Sequence, residues 1–472
     1  MEALRDEIVQ AVSENQWGNG LFVPNDAFND LFTEDITAQI LCLDPEICIE
    51  HLSKTIATLV YNNRLNSHFL ETFHVEGFRD QYLPVEYEKA KRVFTSVRQG
   101  RYFDLFSSAA DCIAFEHDQW LFCSPSFGNA EHQELDIRCP LPIIHCSLYS
   151  SRSRSDVYKV KLHHAHLNTE ENNLFLAMKK IVLDSPRNGK DHFFLFPWAN
   201  GGNLESVWQG EANLDKRSPE MLYWVVEQMT GIVGAVKEIH FPTETAAEDE
   251  GYFHGALNPN NIVLFIEDPK ENPRGVLRIT DTGLDRFYRK ITSRWTRSHE
   301  TDETLIAYGP PRPRRAHDRD NGSPDYDMWS LGCLFLEFVV WVLGGMDEVS
   351  KFRAGREKSC SHRGFYQKTI FGYNVQPEVR RYIDLILNDK RCQGNNLLRD
   401  VINIIKNRLL RTRKNKRITS AELEPLLLCI LEKAKASPSY LCGPDSESGF
   451  YPQPIGYPGS LTVTTVDRLI AK

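Results

Sequence analysis

The sequence predicts an α+β fold in which a small antiparallel sheet precedes a helix-rich region. Short β-rich runs follow one another between residues 141 and 199. From about residue 200 the apolar residues recur at the three-to-four spacing of amphipathic helices. Strands and helices that are segregated along a chain, and do not alternate, are typical of the α+β class.

Composition and charge limit the possible functions. The 472 residues are 41% hydrophobic and 25% charged, which is sufficient for two or three folded domains. The formal net charge of −9 argues against broad binding to nucleic acid or to an anionic membrane. The N-terminal stretch is acidic and lacks the apolar core of a signal peptide, so we expect a cytoplasmic or nuclear protein that is not secreted. Its 11 cysteines are then expected to be reduced thiols.

Residues 1–135 are predicted to form a helical N-terminal region. Runs such as ITAQILCL and CIEHLSKTIATLVYN have the apolar spacing of amphipathic helices. We assign the segment FRDQYLPVEYEKAKRVFTSV, residues 78–97, to the same helical style with one proline break. Cys42 and Cys48 have no matching His or Cys pair and are expected to be core thiols.

The sheet and the helices that follow it can be placed element by element. Four β-rich runs predict an antiparallel sheet over 141–199: LPIIHCSLY, SDVYKVKLHHA, NLFLAMKKIVL and DHFFLFPWA. The predicted helices are 219–240, 327–344, 376–388, 394–410 and 419–436. The apolar stretch 331–345 is too short to span a bilayer and contains Glu337, so it predicts a buried helix. Residues 436–472 are rich in Pro, Gly and Ser, and we predict an extended, mobile tail.

Several motifs between residues 141 and 435 stand in the order used by protein kinases. They are LAMKKI, LFPWANGGNL, HGALNPNNI, RITDTGLD, DYDMWSLGC and KNKRITSAEL. Together they resemble the kinase-like proteins of fungi whose catalytic loop begins His-Gly-Asp and whose hinge carries Phe-Pro-Trp. The resemblance implies a two-lobed protein-kinase-like fold over residues 141–435, with a reduced β-rich small lobe at 141–199 and a helical large lobe at 200–435.

The resemblance also implies the roles of individual residues. Lys179 would contact the phosphates of ATP, with Lys180 as the alternative, and Asn261 and Asp281 would ligate Mg²⁺.

Three further residues are implied to be structural. His254 belongs to the catalytic loop, Asp327 would accept hydrogen bonds from the backbone of that loop, and Arg417 would occupy the family's ion-pair position. Arg312 replaces the usual Glu partner of Arg417. The two arginines would therefore repel each other unless solvent or Asp318 intervenes.

The catalytic motifs depart from the family pattern at the reacting positions. Ala256 replaces the catalytic Asp and Asn258 replaces the Lys that neutralises the γ-phosphate. Loss of a positioned general base typically costs about 10²–10⁴-fold in rate.

The part of the site that would bind the nucleotide also lacks family features. The three glycines of the phosphate-binding loop fall on Ser150, Arg152 and Ser155, whose side chains obstruct a close backbone approach to phosphates. Only ten residues, 182–191, stand where a kinase has its regulatory helix and a further strand.

These substitutions favour a pseudokinase that acts as a binding or scaffolding module. The alternative is an active ATP-dependent Ser/Thr protein kinase. It is supported by the retained residues Lys179, Asn261 and Asp281. ATP and Mg²⁺ are expected to bind weakly or not at all. We expect a protein partner, whose identity and stoichiometry the sequence leaves open, and neither nucleic acid nor membrane.

Two basic or histidine-rich stretches remain. The run HHAH, residues 163–166, could bind metal, but surface histidines are the favoured interpretation. The run RTRKNKR, residues 411–417, could be a nuclear-import or nucleic-acid patch, although a solvated loop is favoured.

Overall fold

The computed structural model shows a chain of two compact units, Met1–Trp198 and Ala199–Lys472. Helices and small antiparallel sheets occur in both, which confirms the predicted α+β class. The residues described are 2–18, 20–33, 36, 39–40, 51–128, 132–152, 155–168, 175–181, 192–210, 218–242, 253–267, 270, 272–280, 307–311, 323–359 and 363–442.

Helices of the first unit pack around an aromatic core. Their bounds are α1 (Glu2–Ala11), α2 (Asn25–Leu31), α3 (Ser53–Tyr61), α4 (Ser67–Val75) and α5 (Ala109–Asp118). The rings of Phe73, Phe78 and Phe115 are almost completely buried, and Phe73 lies 5.2 Å from Phe78 and 5.7 Å from Phe115 between centroids. This core belongs to the region 1–135 that was predicted to be helical.

The N-terminal region also contains strands, so the purely helical prediction is corrected. The strands are β1 (Ser13–Glu14), β2 (Leu21–Phe22), β3 (Val85–Glu88), β4 (Val93–Ser96) and β5 (Tyr102–Phe103). The last three form one sheet in the order β3-β4-β5, and β3 and β4 lie within the segment 78–97 that was assigned to a helix. A tertiary contact fixes its edge: the backbone N–H of Val85 donates to Gln119 Oε1 (2.8 Å), and Gln119 Nε2 donates to the Val85 carbonyl (2.7 Å).

The predicted sheet at 141–199 is present as four antiparallel strands in chain order. They are β6 (Ile143–Arg152), β7 (Ser155–Leu162), β8 (Phe175–Ile181) and β9 (His192–Pro197). Val160 and Met178 are buried on one face. Trp17 from the N-terminal region packs against Tyr158 of that face in a T-shaped contact with a centroid distance of 4.6 Å. The N-terminal region and this sheet therefore share a packed surface.

The second unit is mainly helical. Its helices are α6 (Leu204–Gln209), α7 (Pro219–His240), α8 (Pro324–Ser359), α9 (Pro377–Asn388), α10 (Leu397–Ile404), α11 (Ser420–Ala436) and α12 (Pro438–Cys442). Two hairpins accompany them: β10 (Ile262–Phe265) with β11 (Val276–Ile279), and β12 (Tyr366–Thr369) with β13 (Gly372–Val375). The Ser218 side chain caps α7, and Thr419 and Glu422 form a capping box at α11.

Helix α8 is the centre of the second unit's core. Gly345 has φ 75° and divides the helix into two segments, so the predicted helix 327–344 is the first of them. By length and composition α8 could cross a membrane, but 89% of its most apolar window is buried inside the protein. Trp329 and Trp341 are fully buried there.

The first residues of the predicted tail are helical, which corrects that part of the prediction. Residues Pro438–Cys442 form α12, in which Tyr440 and Leu441 are buried and Tyr440 Oη donates to Asp400 Oδ2 (2.8 Å). The rest of the predicted tail, 443–472, lies outside the described residues.

Candidate functional site

The loop predicted to be catalytic leads from residue 253 into strand β10. A single 3-10 turn, Pro259–Asn261, precedes the strand, and β10 pairs with β11 with Ile262 opposite Ile279. The backbone N–H of Thr280 donates to the Asn261 carbonyl (2.9 Å), which places the ends of the hairpin side by side. Asp281, the predicted second Mg²⁺ ligand, directly follows Thr280 in the chain and lies outside the described residues.

Asp327 anchors this loop from the first turn of α8. Its carboxylate is completely buried and accepts the backbone N–H of His254 (2.6 Å, Oδ2) and of Gly255 (2.8 Å, Oδ1). His240 Nε2 at the end of α7 also lies 3.0 Å from Oδ2. Gly255 has φ 79°, a backbone conformation that favours glycine. These bonds are those implied for Asp327 by the sequence.

His254 contributes to the shape of the loop through both ring nitrogens. Its Nδ1 accepts the backbone N–H of Ala256 (3.1 Å), so the proton resides on Nε2, which donates to the Thr280 carbonyl (2.8 Å). The side chain is 2% exposed. His254 therefore joins the loop to the end of β11 and has a structural role in this geometry.

The turn after Ala256 is stabilised by two carboxamides. The Ala256 carbonyl accepts Nδ2 of Asn258 (2.8 Å) and Nδ2 of Asn261 (2.9 Å). Asn258 Oδ1 also accepts the backbone N–H of Asn260 (3.0 Å), the capping geometry of an Asn that precedes a turn. Asn258 is 2% exposed and Asn261 5%. The sequence analysis treated Asn258 only as a lost lysine, whereas its side chain stabilises the turn.

Ala256 itself presents a methyl group where the resemblance places a general base. The stretch 253–262 contains no Asp or Glu, so no neighbouring carboxylate in the loop can take over. The loop thus has hydrogen-bonded flanks but no carboxylate at the position where the resemblance places the general base.

Lys179 lies in the first unit, in the middle of β8. It stands between Val157 of β7 and Phe194 of β9 in the register of the sheet, and it is 7% exposed. Lys180 points to the opposite face, where its Nζ lies 5.6 Å from the centre of the Phe193 ring. The two lysines are thereby separated by sheet alternation.

The positions at which the resemblance places the glycine loop belong to the β6–β7 hairpin, whose register is irregular between Leu148 and Ser150. Ser150 pairs with Val157 and Arg152 with Ser155, so the ladder continues to the tip, and Ser151 Oγ donates to Asp156 Oδ1 (2.6 Å). Ser and Arg at these positions do not fit a close backbone approach to phosphates, which favours glycine. The segment 182–191 lies outside the described residues, while β8 and β9 pair directly with each other.

Arg417 has a carboxylate partner that the sequence analysis did not propose. Its Nη1 donates to Asp325 Oδ2 (2.8 Å) and to the Asp325 carbonyl (2.9 Å), and its Nε donates to the Arg411 carbonyl (2.7 Å). The side chain is 2% exposed, and its burial lowers the pKa of the guanidinium. The residues 411–416 around it are mostly exposed, as expected for a solvated loop. Arg312 and Asp318 lie outside the described residues.

A buried ionic network includes Tyr308, the first residue of the Tyr-Gly-Pro-Pro run at 308–311, and it was not predicted from the sequence. Glu337 in the first segment of α8 is fully buried and contacts Arg353 (2.8 Å) and Arg356 (2.7 Å) of the second segment, while Tyr308 Oη donates to it (2.5 Å). Burial alone would raise the pKa of Glu337, but the charges of Arg353 and Arg356 outweigh it and lower that pKa. A lone Glu within an apolar run was the sequence signal for such a pair.

Comparison with known proteins adds no assignment, because neither a scan against protein-family models nor a search of curated proteins gives a match for this chain. The functional argument therefore depends on the geometry of the described residues and on the motifs of the sequence.

Proposed function

We propose that this chain is a protein-kinase-like protein that acts through binding a protein partner and not through phosphoryl transfer. The observation that carries the proposal is Ala256: its loop is anchored by Asp327 and His254, yet its own side chain is a methyl group. A binding protein that has lost phosphoryl transfer can keep the anchored backbone of this loop without keeping its general base. Asn258 supports the same conclusion, because a buried capping carboxamide cannot neutralise a γ-phosphate.

The alternative is an active Ser/Thr kinase. It is favoured by Lys179, which is buried on the sheet face opposite Lys180, and by Asn261, which keeps its place beside the β10–β11 hairpin. In an active kinase these residues, with Asp281, would contact ATP phosphates and Mg²⁺. Ser150, Arg152 and Ser155 do not fit the phosphate-cradling part of such a site, which favours glycine, so we expect weak or absent nucleotide binding.

A thermal-shift titration with Mg·ATP tests the nucleotide side. A ligand present at 100 times its Kd stabilises a protein by about 2.7 kcal/mol, equivalent to a rise in Tm of about 5–11 °C for a unit of this size. We expect a smaller shift than this at millimolar Mg·ATP. A shift that implies micromolar affinity, and that Lys179→Met abolishes, would contradict the proposal.

Transfer of radiolabelled γ-phosphate to a generic acceptor protein tests the chemistry. The wild-type chain should transfer no more label than Asp281→Ala, which removes the implied Mg²⁺ ligand. Label transfer that depends on Asp281 would establish the active kinase instead.

A further inference from the structure

The histidine run after β7 lies against the start of α2 in the first unit. Residues His164–His166 form a 3-10 turn, and the first turn of α2 carries Asp26. The sequence analysis favoured surface histidines for this run, but His166 is fully buried and His163 is partly buried, so only His164 is exposed. The run is therefore part of a packed junction between two segments that are far apart in the chain.

Three potential metal ligands converge at this junction. His164 Nε2 lies 2.9 Å from Asp26 Oδ2, and His163 Nδ1 lies 3.9 Å from Asp26 Oδ1. One ligand atom of each residue lies within 4.8 Å of the other two. Donors that bind one tetrahedral zinc ion at about 2.0–2.1 Å are roughly 3.4 Å apart. The two separations, which run to different oxygens of Asp26, lie on either side of that value.

Buried hydrogen bonds hold the two segments in place behind these ligands. The backbone N–H of Asn25 donates to His166 Nε2 (3.2 Å), and His166 Nδ1 donates to the Pro125 carbonyl (2.9 Å). Asn25 Nδ2 donates further to the Ala165 carbonyl (3.2 Å) and to Ser126 Oγ (2.8 Å). Residues adjacent to Asp26 and His164 are thus fixed to each other, which reduces the ordering that metal binding would require.

Solvent can reach the ligands. The side chains of Asp26 and His164 are 43% and 49% exposed, and that of His163 is 18% exposed. The rings of His163 and His164 are stacked, with centroids 4.5 Å apart and an angle of 28° between their planes, so at least one ring must turn before both can bind one ion. Ligation by His163 Nδ1 would replace the long bond that it accepts from the Ala165 N–H (3.4 Å).

We propose that Asp26, His163 and His164 form a binding site for a zinc-class divalent transition-metal ion. Two imidazoles and one carboxylate suit Zn²⁺ and its neighbours, whereas Ca²⁺ and Mg²⁺ prefer oxygen donors. Three protein ligands leave one position for water. This site is independent of the kinase-like motifs, and its ion would join α2 to the end of β7.

Zinc titration of the full-length, EDTA-treated chain by isothermal calorimetry tests the proposal. The wild type should bind one equivalent of Zn²⁺ that His164→Ala and Asp26→Ala each weaken by at least about tenfold. His145→Ala is the matched control, because His145 is an exposed histidine on β6 of the same sheet, and it should leave that equivalent unchanged. Mg²⁺ and Ca²⁺ should give no comparable binding.

Thiols elsewhere in the chain can also bind zinc. The criterion is therefore the difference in the number of bound Zn²⁺ equivalents between the wild type and His164→Ala. Hydrogen exchange locates it: zinc should slow exchange in peptides covering 20–32 and 157–168 of the wild type but not of His164→Ala. Zinc binding that is identical in the wild type, His164→Ala and Asp26→Ala would overturn the proposal. The absence of zinc binding to the wild type at 100-fold excess over protein would overturn it as well.

Discussion

Replacing Asp327 by Asn should destabilise the loop at 253–258 while leaving its side-chain volume unchanged. The carboxylate accepts two hydrogen bonds at Oδ2 and one at Oδ1, all within the protein interior. The best orientation of an Asn side chain keeps its oxygen at the Oδ2 position and turns its NH₂ group toward the N–H of Gly255. One buried backbone donor then loses its acceptor, which costs about 1–3 kcal/mol.

Loss of the negative charge beside His240 adds to this cost, since hydrogen bonds to charged groups contribute about 1.5–3 kcal/mol. We expect a total loss of about 2–4 kcal/mol for Asp327→Asn, and about 3–5 kcal/mol for Asp327→Ala, which leaves three groups without their acceptor. Asp347→Asn is the matched control, because Asp347 is an exposed residue of the same helix. It should change the free energy of unfolding by less than about 0.5 kcal/mol.

Hydrogen exchange followed by mass spectrometry measures the local effect in the full-length chain. Amides of His254 and Gly255 should exchange at least tenfold faster in Asp327→Asn than in the wild type or Asp347→Asn. Urea unfolding, followed by tryptophan fluorescence, gives the overall change. Unchanged exchange in the loop peptide, with unchanged urea midpoint, would refute the assignment of Asp327 as the anchor of the loop.

Three further outcomes are expected. Glu337→Ala should lower the free energy of unfolding, measured in urea, by about 3–5 kcal/mol. The reason is that Arg356, whose Nε and Nη1 have no described partner, would lose its carboxylate. A loss below about 1 kcal/mol would contradict the buried network. Asn258→Ala should cost about 1 kcal/mol in the same assay by removing the cap of the turn, and no change would refute that role. Limited proteolysis should leave a resistant fragment that begins near residue 200, and early cuts inside 219–240 or 327–344 would show that these helices do not form the core.

The long helices were predictable because their signals are local. Helix α7 begins at Ser218–Pro219 and buries residues at helical spacing, and α11 begins with its Thr419 cap, so the starting points follow from short-range chemistry. The four-strand sheet was predictable for the same reason, since each strand is a distinct β-rich run bounded by polar residues.

The small N-terminal sheet was not predictable because its determinants are distant in the chain. Strand β4 pairs with β5 through Phe94 and Phe103, and β3 is fixed by Gln119, which follows α5. The charged residues between β3 and β4 also have the composition of an exposed helix. Tertiary pairing overrides such a local pattern.

The candidate site was predicted in part for similar reasons. The Asp327 anchor depends on two motifs whose order is visible in the sequence, and the expected bonds to the loop backbone are present. The partner of Arg417 was not predicted, because Asp325 is distant from Arg417 in the chain and no motif assigns it a role. The capping role of Asn258 had a readable signal in the Asn-Pro dipeptide, which favours a turn.

Phosphoryl transfer by the repaired variant Ala256→Asp with Asn258→Lys tests the central claim most directly. The two substitutions would supply the base and the cationic clamp that the resemblance implies, but Ser150, Arg152 and Ser155 would still stand in place of the implied phosphate-binding glycines. Circular dichroism first checks that the variant is folded, since Asn258 is a buried cap. With radiolabelled ATP and a generic acceptor, we expect no transfer above that of Asp281→Ala. Transfer clearly above that control would show that the nucleotide side is intact, and that the loss of function is confined to the two loop residues.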